Sequence, residues 1–181
     1  MKATGIVRRI DDLGRIVIPK EIRRTLRIRE SDPLEIFTDR EGEIILKKYS
    51  PIGEMNTFAK QYAESLAQVS GRCALIADRD QFIAVSGGYK GILGKSISKE
   101  LEDKLNKRES VMAARGENNF LPIAQDVTDE FFYEAINPII CEGDVIGVVL
   151  LLEADQKRRM GEVEQKLLQS AATFLGRQME Q

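Results

Sequence analysis

Thr4-Gly5-Ile6-Val7-Arg8-Arg9-Ile10-Asp11-Asp12-Leu13-Gly14-Arg15-Ile16-Val17-Ile18-Pro19-Lys20-Glu21-Ile22-Arg23-Arg24 is the stretch from which the rest can be read. Thr4 to Ile10 is rich in β-branched residues, with charge entering late, and predicts a strand. Asp11-Asp12-Leu13-Gly14 predicts a turn, with Gly14 free to take a positive φ. Arg15 to Ile18 predicts a second strand, stopped by Pro19. Pro19 suits the first position of a helix, where a missing N–H does no harm. That helix is expected over residues 20–28, with Ile22 and Leu26 on one face and Arg23, Arg24 and Arg27 elsewhere. Ser31-Asp32-Pro33 breaks it. Leu34 to Thr38 and Glu43 to Lys48 predict two more strands, joined by Asp39-Arg40-Glu41-Gly42 as a type I turn with a Gly bulge.

Four strands and a short helix within residues 4–48 bury too little surface to be comfortable alone. Below roughly 60 residues, without a disulfide or a metal, the usual remedy is oligomerisation, so two copies are expected to interlock. Charge sets the same segment apart. Residues 1–50 hold 12 Lys and Arg against 9 Asp and Glu, whereas residues 51–181 hold 15 against 20. Residues 1–30 alone hold 9 basic against 4 acidic side chains, and eight of the nine lie between Arg8 and Arg29. A basic module joined to an acidic one points to a polyanionic partner for the first part only.

Tyr49-Ser50-Pro51-Ile52-Gly53 reads as the joint, because the residue before a proline is pushed to extended geometry and Gly53 adds freedom. The expected division is a head at 1–50, a linker at 51–55 and a second domain at 56–181. Met55, Phe58, Tyr62, Leu66 and Val69 predict an amphipathic helix with Gly71 as its C-cap. Cys73 to Ala77, Phe82 to Val85, Phe120 to Ala124, Tyr133 to Cys141 and Val145 to Leu152 predict strands, the last two forming a hairpin around Glu142-Gly143-Asp144. Ser98 to Lys107 and Gly161 to Glu180 predict helices, the latter with Val163, Leu167, Ala171, Phe174 and Leu175 inward. Helix, antiparallel strands, helix is an α+β layer arrangement.

Composition excludes much chemistry. The chain has 181 residues, no histidine, no tryptophan and two cysteines, Cys73 and Cys141. Histidine-based nucleophile pairs, His-ligated zinc and CxxC redox motifs are therefore out. Gly94-Lys95-Ser96 resembles the end of a phosphate loop, but position 89 is Tyr where that motif needs Gly. No catalytic residue, metal or cofactor is expected. The longest apolar run, Val145 to Leu152, is far short of the roughly 20 residues of a membrane span, so no membrane partner is expected. The N-terminus has no secretory h-region and the thiols are far apart, which points to the cytoplasm.

Residues 4–24 match, almost without gaps, the N-terminal DNA-binding domain of the AbrB-type transition-state regulators of sporulating bacteria. The whole chain, to its end at Met160 through Gln181, resembles the stage V sporulation protein T branch of that family, which adds a GAF-like domain after the same head. The resemblance implies a swapped-hairpin dimer, double-stranded DNA as partner, and a transcription regulator, activating or repressing, associated with the nucleoid, in the forespore. The DNA-binding positions it implies are Arg8, Arg15, Arg23 and Arg24, with Arg9 and Lys2 as lesser candidates. Arg suits the role, since its planar fork of donors fits phosphate and guanine edges. Asp11, Asp12, Glu21 and Glu30 are the acids that could instead hold these arginines as ion pairs. One departure is Ser31, where the pattern has Gly in a Glu-Gly-Asp turn; it puts the turn geometry in question, not the DNA contacts. An antitoxin-like module is the alternative, because some antitoxins share the head, although they usually carry a disordered acidic tail. The apolar stripes on the two flanking helices, with Phe58, Tyr62, Leu66, Leu167, Leu168, Phe174 and Leu175, are expected to join two dimers into a tetramer. A small-molecule ligand of unidentified class in the GAF-like domain stays open as a partner.

Overall fold

A computed structural model of the chain describes residues 4–54, 56–125 and 131–180. It divides into two compact units, Met1–Tyr49 and Ser50–Gln181.

In the first unit, α1 (Lys20–Thr25) is followed by a hairpin of β1 (Leu34–Thr38) and β2 (Ile44–Lys48). The hairpin is antiparallel, with Leu34 opposite Lys48 and Thr38 opposite Ile44. The helix is shorter than expected. It ends at Thr25 because Arg27 takes a left-handed φ of 52°. Residues 4–10 and 15–18 carry no strand, contrary to the reading of the sequence; only the turn between them closes, with the Asp11 N–H donating to the Arg15 carbonyl at 3.1 Å. A strand exists only where a neighbour takes its backbone hydrogen bonds, and this chain does not offer these segments one. Among the described residues of this unit only Pro19 is buried.

The second unit begins with a helical turn, α2 (Pro51–Glu54), inside the stretch read as a linker. Ile52 there is 1% exposed, so an apolar side chain draws the segment onto the domain. Then come α3 (Asn56–Ser70), β3 (Cys73–Asp78), β4 (Phe82–Ser86), α4 (Lys99–Asn106), β5 (Val111–Ala114), β6 (Tyr133–Cys141), β7 (Asp144–Glu153) and α5 (Glu162–Gln178). The five strands form one antiparallel sheet in the order β4-β3-β7-β6-β5. Helices α3 and α5 cover one face, and α4 with the loops around Leu121 and Ile123 covers the other. With both faces covered, β3 and β7 read as continuous apolar runs instead of alternating.

Phe120 to Ala124 is not a strand. Pro122 has no N–H for a ladder. The backbone is satisfied otherwise: Leu121 N–H donates to Glu134 Oε1 at 2.9 Å, and Ser98, the N-cap of α4, donates its hydroxyl to the Pro122 carbonyl. Gly94-Lys95-Ser96 lies ahead of that cap, where Phe82 N–H donates to the Lys95 carbonyl at 3.0 Å, so it serves as cover for β4.

The faces of α3 and α5 differ from those read by large apolar residues. On α3 the buried residues are Ala59, Ala63, Leu66 and Ala67, while Val69 is exposed and Met55 lies outside the described residues. On α5 they are Leu168, Ala171, Ala172, Leu175 and Gly176, while Val163 and Phe174 are exposed. Small side chains set this rotation. A Cβ on Gly176 would collide with the Ile140 carbonyl, so only glycine lets α5 lie this close to β6.

A buried ionic clamp joins the start of β3, the end of β7 and the start of α5. The Arg72 guanidinium donates to Glu153 Oε2, to Glu164 Oε1 at 3.0 Å, and to the carbonyls of Arg158 and Arg159 at 3.1 and 3.0 Å. Arg158 reaches Glu153 Oε2 at 3.2 Å. Burial pushes both carboxyls up, but donated hydrogen bonds and the arginines outweigh it and hold Glu153 and Glu164 below the ordinary value of 4.5. Folded-state values below the unfolded ones mean stability that is present above the unfolded pKa and is lost as pH falls through the folded one. Arg72→Met removes the shared cation, leaving Glu153 with Arg158 and the Asp155 N–H and Glu164 with the Gly161 N–H, and should cost about 3 kcal/mol at pH 7. The gap from the unmodified protein should narrow as pH falls below 4.5. Thermal unfolding followed by circular dichroism from pH 7 to 3 checks this, and a pH-independent gap would show that the clamp is not electrostatic.

Candidate nucleic-acid interface

The head is organised by two turns of one design. At Asp39-Arg40-Glu41-Gly42-Glu43, the Asp39 N–H donates to the Glu43 carbonyl at 3.2 Å, and Gly42 N–H donates to the Asp39 carbonyl at 3.4 Å. Asp39 Oδ1 accepts the N–H groups of Glu41 and Glu43 at 3.0 and 2.9 Å. At Asp11-Asp12-Leu13-Gly14-Arg15 the same four bonds recur: Asp11 to the Arg15 carbonyl at 3.1 Å, Gly14 to the Asp11 carbonyl at 3.0 Å, and Leu13 and Arg15 to Asp11 Oδ1 at 3.0 and 2.8 Å. Gly14 and Gly42 supply the positive φ, at 75° and 84°, that both turns require. The 39–43 turn closes the β1-β2 hairpin, so the 11–15 turn has hairpin geometry without its ladder.

The first turn differs in one bond. Arg15 Nε donates to Asp11 Oδ2 at 2.8 Å. The Arg15 amide and guanidinium together hold the Asp11 carboxyl below the usual carboxylate range. Of the acids considered as ion-pair partners, Asp11 is thus engaged, with Arg15. The pair uses Nε, which leaves the terminal nitrogens of an exposed guanidinium for another partner.

The candidate residues fall into two groups. Arg8, Arg9 and Arg15 lie on the arms of the first turn and are exposed. Arg8 donates to the Val7 carbonyl at 3.1 Å. Arg23 and Arg24 are neighbours in the last turn of α1. Arg24 is exposed, but Arg23 is half-buried and its Nε is a buried donor without a hydrogen-bond partner among the described residues. Lys2 lies outside the described residues. The segment after α1 is tied down by Asp32, whose Oδ2 accepts the Arg29 N–H at 2.8 Å and faces Lys48 Nζ at 3.3 Å. Lys48 in turn donates to the Arg27 carbonyl at 2.8 Å. The equal Asp-x-x-Gly spacing of the two turns was visible in the sequence; the role of Asp11 in holding Arg15 was not.

Around the basic residues lies uncovered apolar surface: Val7 is 83% exposed, Val17 72%, Leu13 69% and Ile36 66%. On the second unit the exposed apolar feature is aromatic. Tyr62 and Phe174 stack with ring centroids 5.5 Å apart, and Phe58 lies 6.2 and 6.0 Å from them. Of the residues expected to join chains, Phe58, Tyr62, Leu167 and Phe174 stay at least partly exposed. Leu66, Leu168 and Leu175 do not; they are buried against the sheet of their own domain, because the small-residue faces of α3 and α5 dock there. Among the described residues no helix is long and apolar enough to cross a membrane.

The second unit has the fold of a GAF domain. A crystal structure of the GAF domain of an Acinetobacter phosphoenolpyruvate-protein phosphotransferase matches it with a TM-score of 0.56 at 14% identity, covering 69% of this chain and 81% of that one. The head is 67% identical over 51 residues to the transition state regulatory protein AbrB of Bacillus subtilis strain 168, spanning 28% of this chain and 52% of that protein. Residues 7–54 also match the profile of the MazE antitoxin family, described as antidote-toxin recognition. An AbrB-type head followed by a GAF-like domain defines a two-part transcription regulator. Residues 54–180 match the profile described as stage V sporulation protein T C-terminal, transcription factor. The full chain is 55% identical over 182 aligned positions to stage V sporulation protein T of Bacillus subtilis strain 168, covering all of both chains. The chain belongs to the stage V sporulation protein T family of transcription factors.

Ser31, the departure from the family pattern, takes a left-handed φ of 66° and is exposed. The turn keeps the geometry that favours glycine, at a cost to serine. Ser31→Gly should therefore stabilise the head by about 1 kcal/mol, after allowing for the extra freedom of glycine in the unfolded chain. Amide hydrogen exchange in β1 and β2 should slow by roughly fivefold. Unchanged or faster exchange would show that Ser31 is not strained.

Proposed function

We propose that this protein regulates sporulation genes by binding double-stranded DNA through its head, as one half of a swapped-hairpin dimer. The observation that carries this reading is the state of residues 4–49, where one buried residue accompanies a broad exposed apolar surface and a cluster of exposed arginines. A second copy would give the segments 4–10 and 15–18 their missing ladder and cover Val7, Val17 and Ile36. Arg8, Arg15, Arg23 and Arg24, with Arg9 and Lys2 in support, would then hold phosphates and base edges, two sets to a dimer. Strong salt dependence follows from so many phosphate contacts. The protein acts by binding and not by catalysis, on the nucleoid of a sporulating cell. The match to an antitoxin family is confined to the head, and the GAF-like domain that follows favours the regulator. We further propose a head at 1–50 and a GAF-like domain at 56–181, with the stretch 51–55 between them carried on the second unit through Ile52.

Single Arg→Ala changes at Arg8, Arg15, Arg23 and Arg24 should each weaken binding to a duplex selected by the protein by roughly 1–3 kcal/mol. Fluorescence anisotropy reads the loss, and circular dichroism should stay native. Unchanged affinity in all four would overturn the assignment.

The GAF-like domain, read as serving sensing or assembly, has a face that favours assembly. Phe58, Tyr62 and Phe174 form an aromatic surface on the two helices, with Leu167 beside it on α5, and we propose that it joins two dimers into a tetramer. Linked heads bind long DNA with higher avidity. Multi-angle light scattering should give a four-chain mass for the unmodified protein and a two-chain mass for Phe174→Glu, with the fold intact because Phe174 is 41% exposed. Leu168→Glu should instead unfold the domain, since Leu168 is 2% exposed. A two-chain mass for the unmodified protein would remove the tetramer.

A further inference from the structure

We propose that Asp11 is a positioning residue that orients the Arg15 guanidinium for sequence readout, a proposal that rests on the reading of the head as the DNA-binding surface. A carboxylate on such a surface is costly, because it repels phosphate. The turn does need an acceptor at this position, but it needs only one. The turn at 39–43 is the internal control. It makes the same four bonds, and its aspartate closes the backbone through Oδ1 alone. Position 43 is Glu, which has no donor to give a second carboxylate oxygen. In the 11–15 turn the equivalent position is Arg15, and its Nε fills Oδ2 at 2.8 Å. The ionised carboxyl therefore does two separable things: Oδ1 shapes the turn, and Oδ2 fixes the guanidinium.

An arginine on an exposed arm has many rotamers, and reading a base edge requires one of them. Asp11 grips Arg15 at Nε, the nitrogen nearest the backbone, so the plane of the guanidinium is set while its two terminal nitrogens remain for the DNA. Holding Arg15 in advance lowers the ordering cost of specific binding and gives no such gain to loose binding along the backbone.

Asp11→Asn separates the two roles. The asparagine Oδ1 can still accept from the Leu13 and Arg15 amides, but its NH2 cannot accept from Arg15 Nε. The test measures anisotropy of the full-length protein on two duplexes: one selected by the unmodified protein from a random pool, and a scrambled duplex of equal composition. Affinity for the selected duplex should fall about 5- to 10-fold, while affinity for the scrambled duplex does not fall, since a repulsive charge has been removed. Asp39→Asn, the same change in the control turn, should leave both affinities unchanged. In an Arg15→Ala background, Asp11→Asn should add no further loss. The proposal is overturned if Asp11→Asn leaves or raises both affinities, if Asp39→Asn reproduces the loss, or if the loss persists without Arg15. A weakened Arg15→Ala with an unaffected Asp11→Asn sinks only the positioning role. An Arg15→Ala protein that binds like the unmodified one sinks the DNA-site reading and the positioning role with it.

Discussion

The constraint on which the head depends is the shortage of anything to bury. Residues 4–49 keep Pro19 inside and leave Ile6, Val7, Ile10, Leu13, Ile16 and Val17 uncovered. Apolar area left in water contributes nothing to folding, at roughly 25 cal/mol per Å2, and unpaired arms add unsatisfied backbone groups. What the head does hold is mostly local: two turns closed by aspartate carboxylates, the short helix α1 and one hairpin ladder, with Lys48 tying the hairpin to Asp32 and the Arg27 carbonyl. Basic residues placed on such turns keep their spacing before any further surface is covered. On the proposed reading, association and DNA recognition are two uses of the same short segment, one drawing on its apolar residues and the other on its arginines.

The GAF-like domain solves the opposite problem. Its central strands β3 and β7 are buried on both faces, so two helices must lie close on one side of the sheet. They do so with alanine and glycine: Ala59, Ala63 and Ala67 on α3, and Ala171, Ala172 and Gly176 on α5. Close docking by small residues turns the large aromatics outward, and the cluster of Phe58, Tyr62 and Phe174 is the consequence. The Arg72 clamp holds the first turn of α5 to the end of β7 and so fixes the position of that helix along the sheet. The two buried carboxylates it pairs with hold further donors, Arg158 and the Asp155 N–H on Glu153 and the Gly161 N–H on Glu164, which is why charge is tolerated there.

Most elements were legible because their signals are local. Proline at a helix start, Asp-x-x-Gly between β-branched runs, and the Tyr133–Cys141 and Asp144–Glu153 hairpin need no information from elsewhere in the chain. The errors share a cause. The strands at 4–10 and 15–18 depend on a neighbour for their ladder. Phe120 to Ala124 carries strand-like residues around a proline, and its backbone is satisfied by Glu134 and Ser98 instead. β5 is a four-residue edge strand whose Val-Met-Ala-Ala run has no pattern of its own.

By itself the sequence determined the hairpin of the head, the helices α3, α4 and α5, the hairpin of β6 and β7, the basic head, the absence of histidine chemistry and the resemblance that names the family. These follow from residue identity and short spacing. Only the tertiary structure decided which faces of α3 and α5 point inward. Large apolar residues on a helix wider than one stripe can serve two surfaces, and the choice falls to the carbonyl of Ile140, against which only Gly176 fits. It decided equally that Asp11 holds Arg15, because one carboxylate has two oxygens and only the folded turn assigns them to different donors.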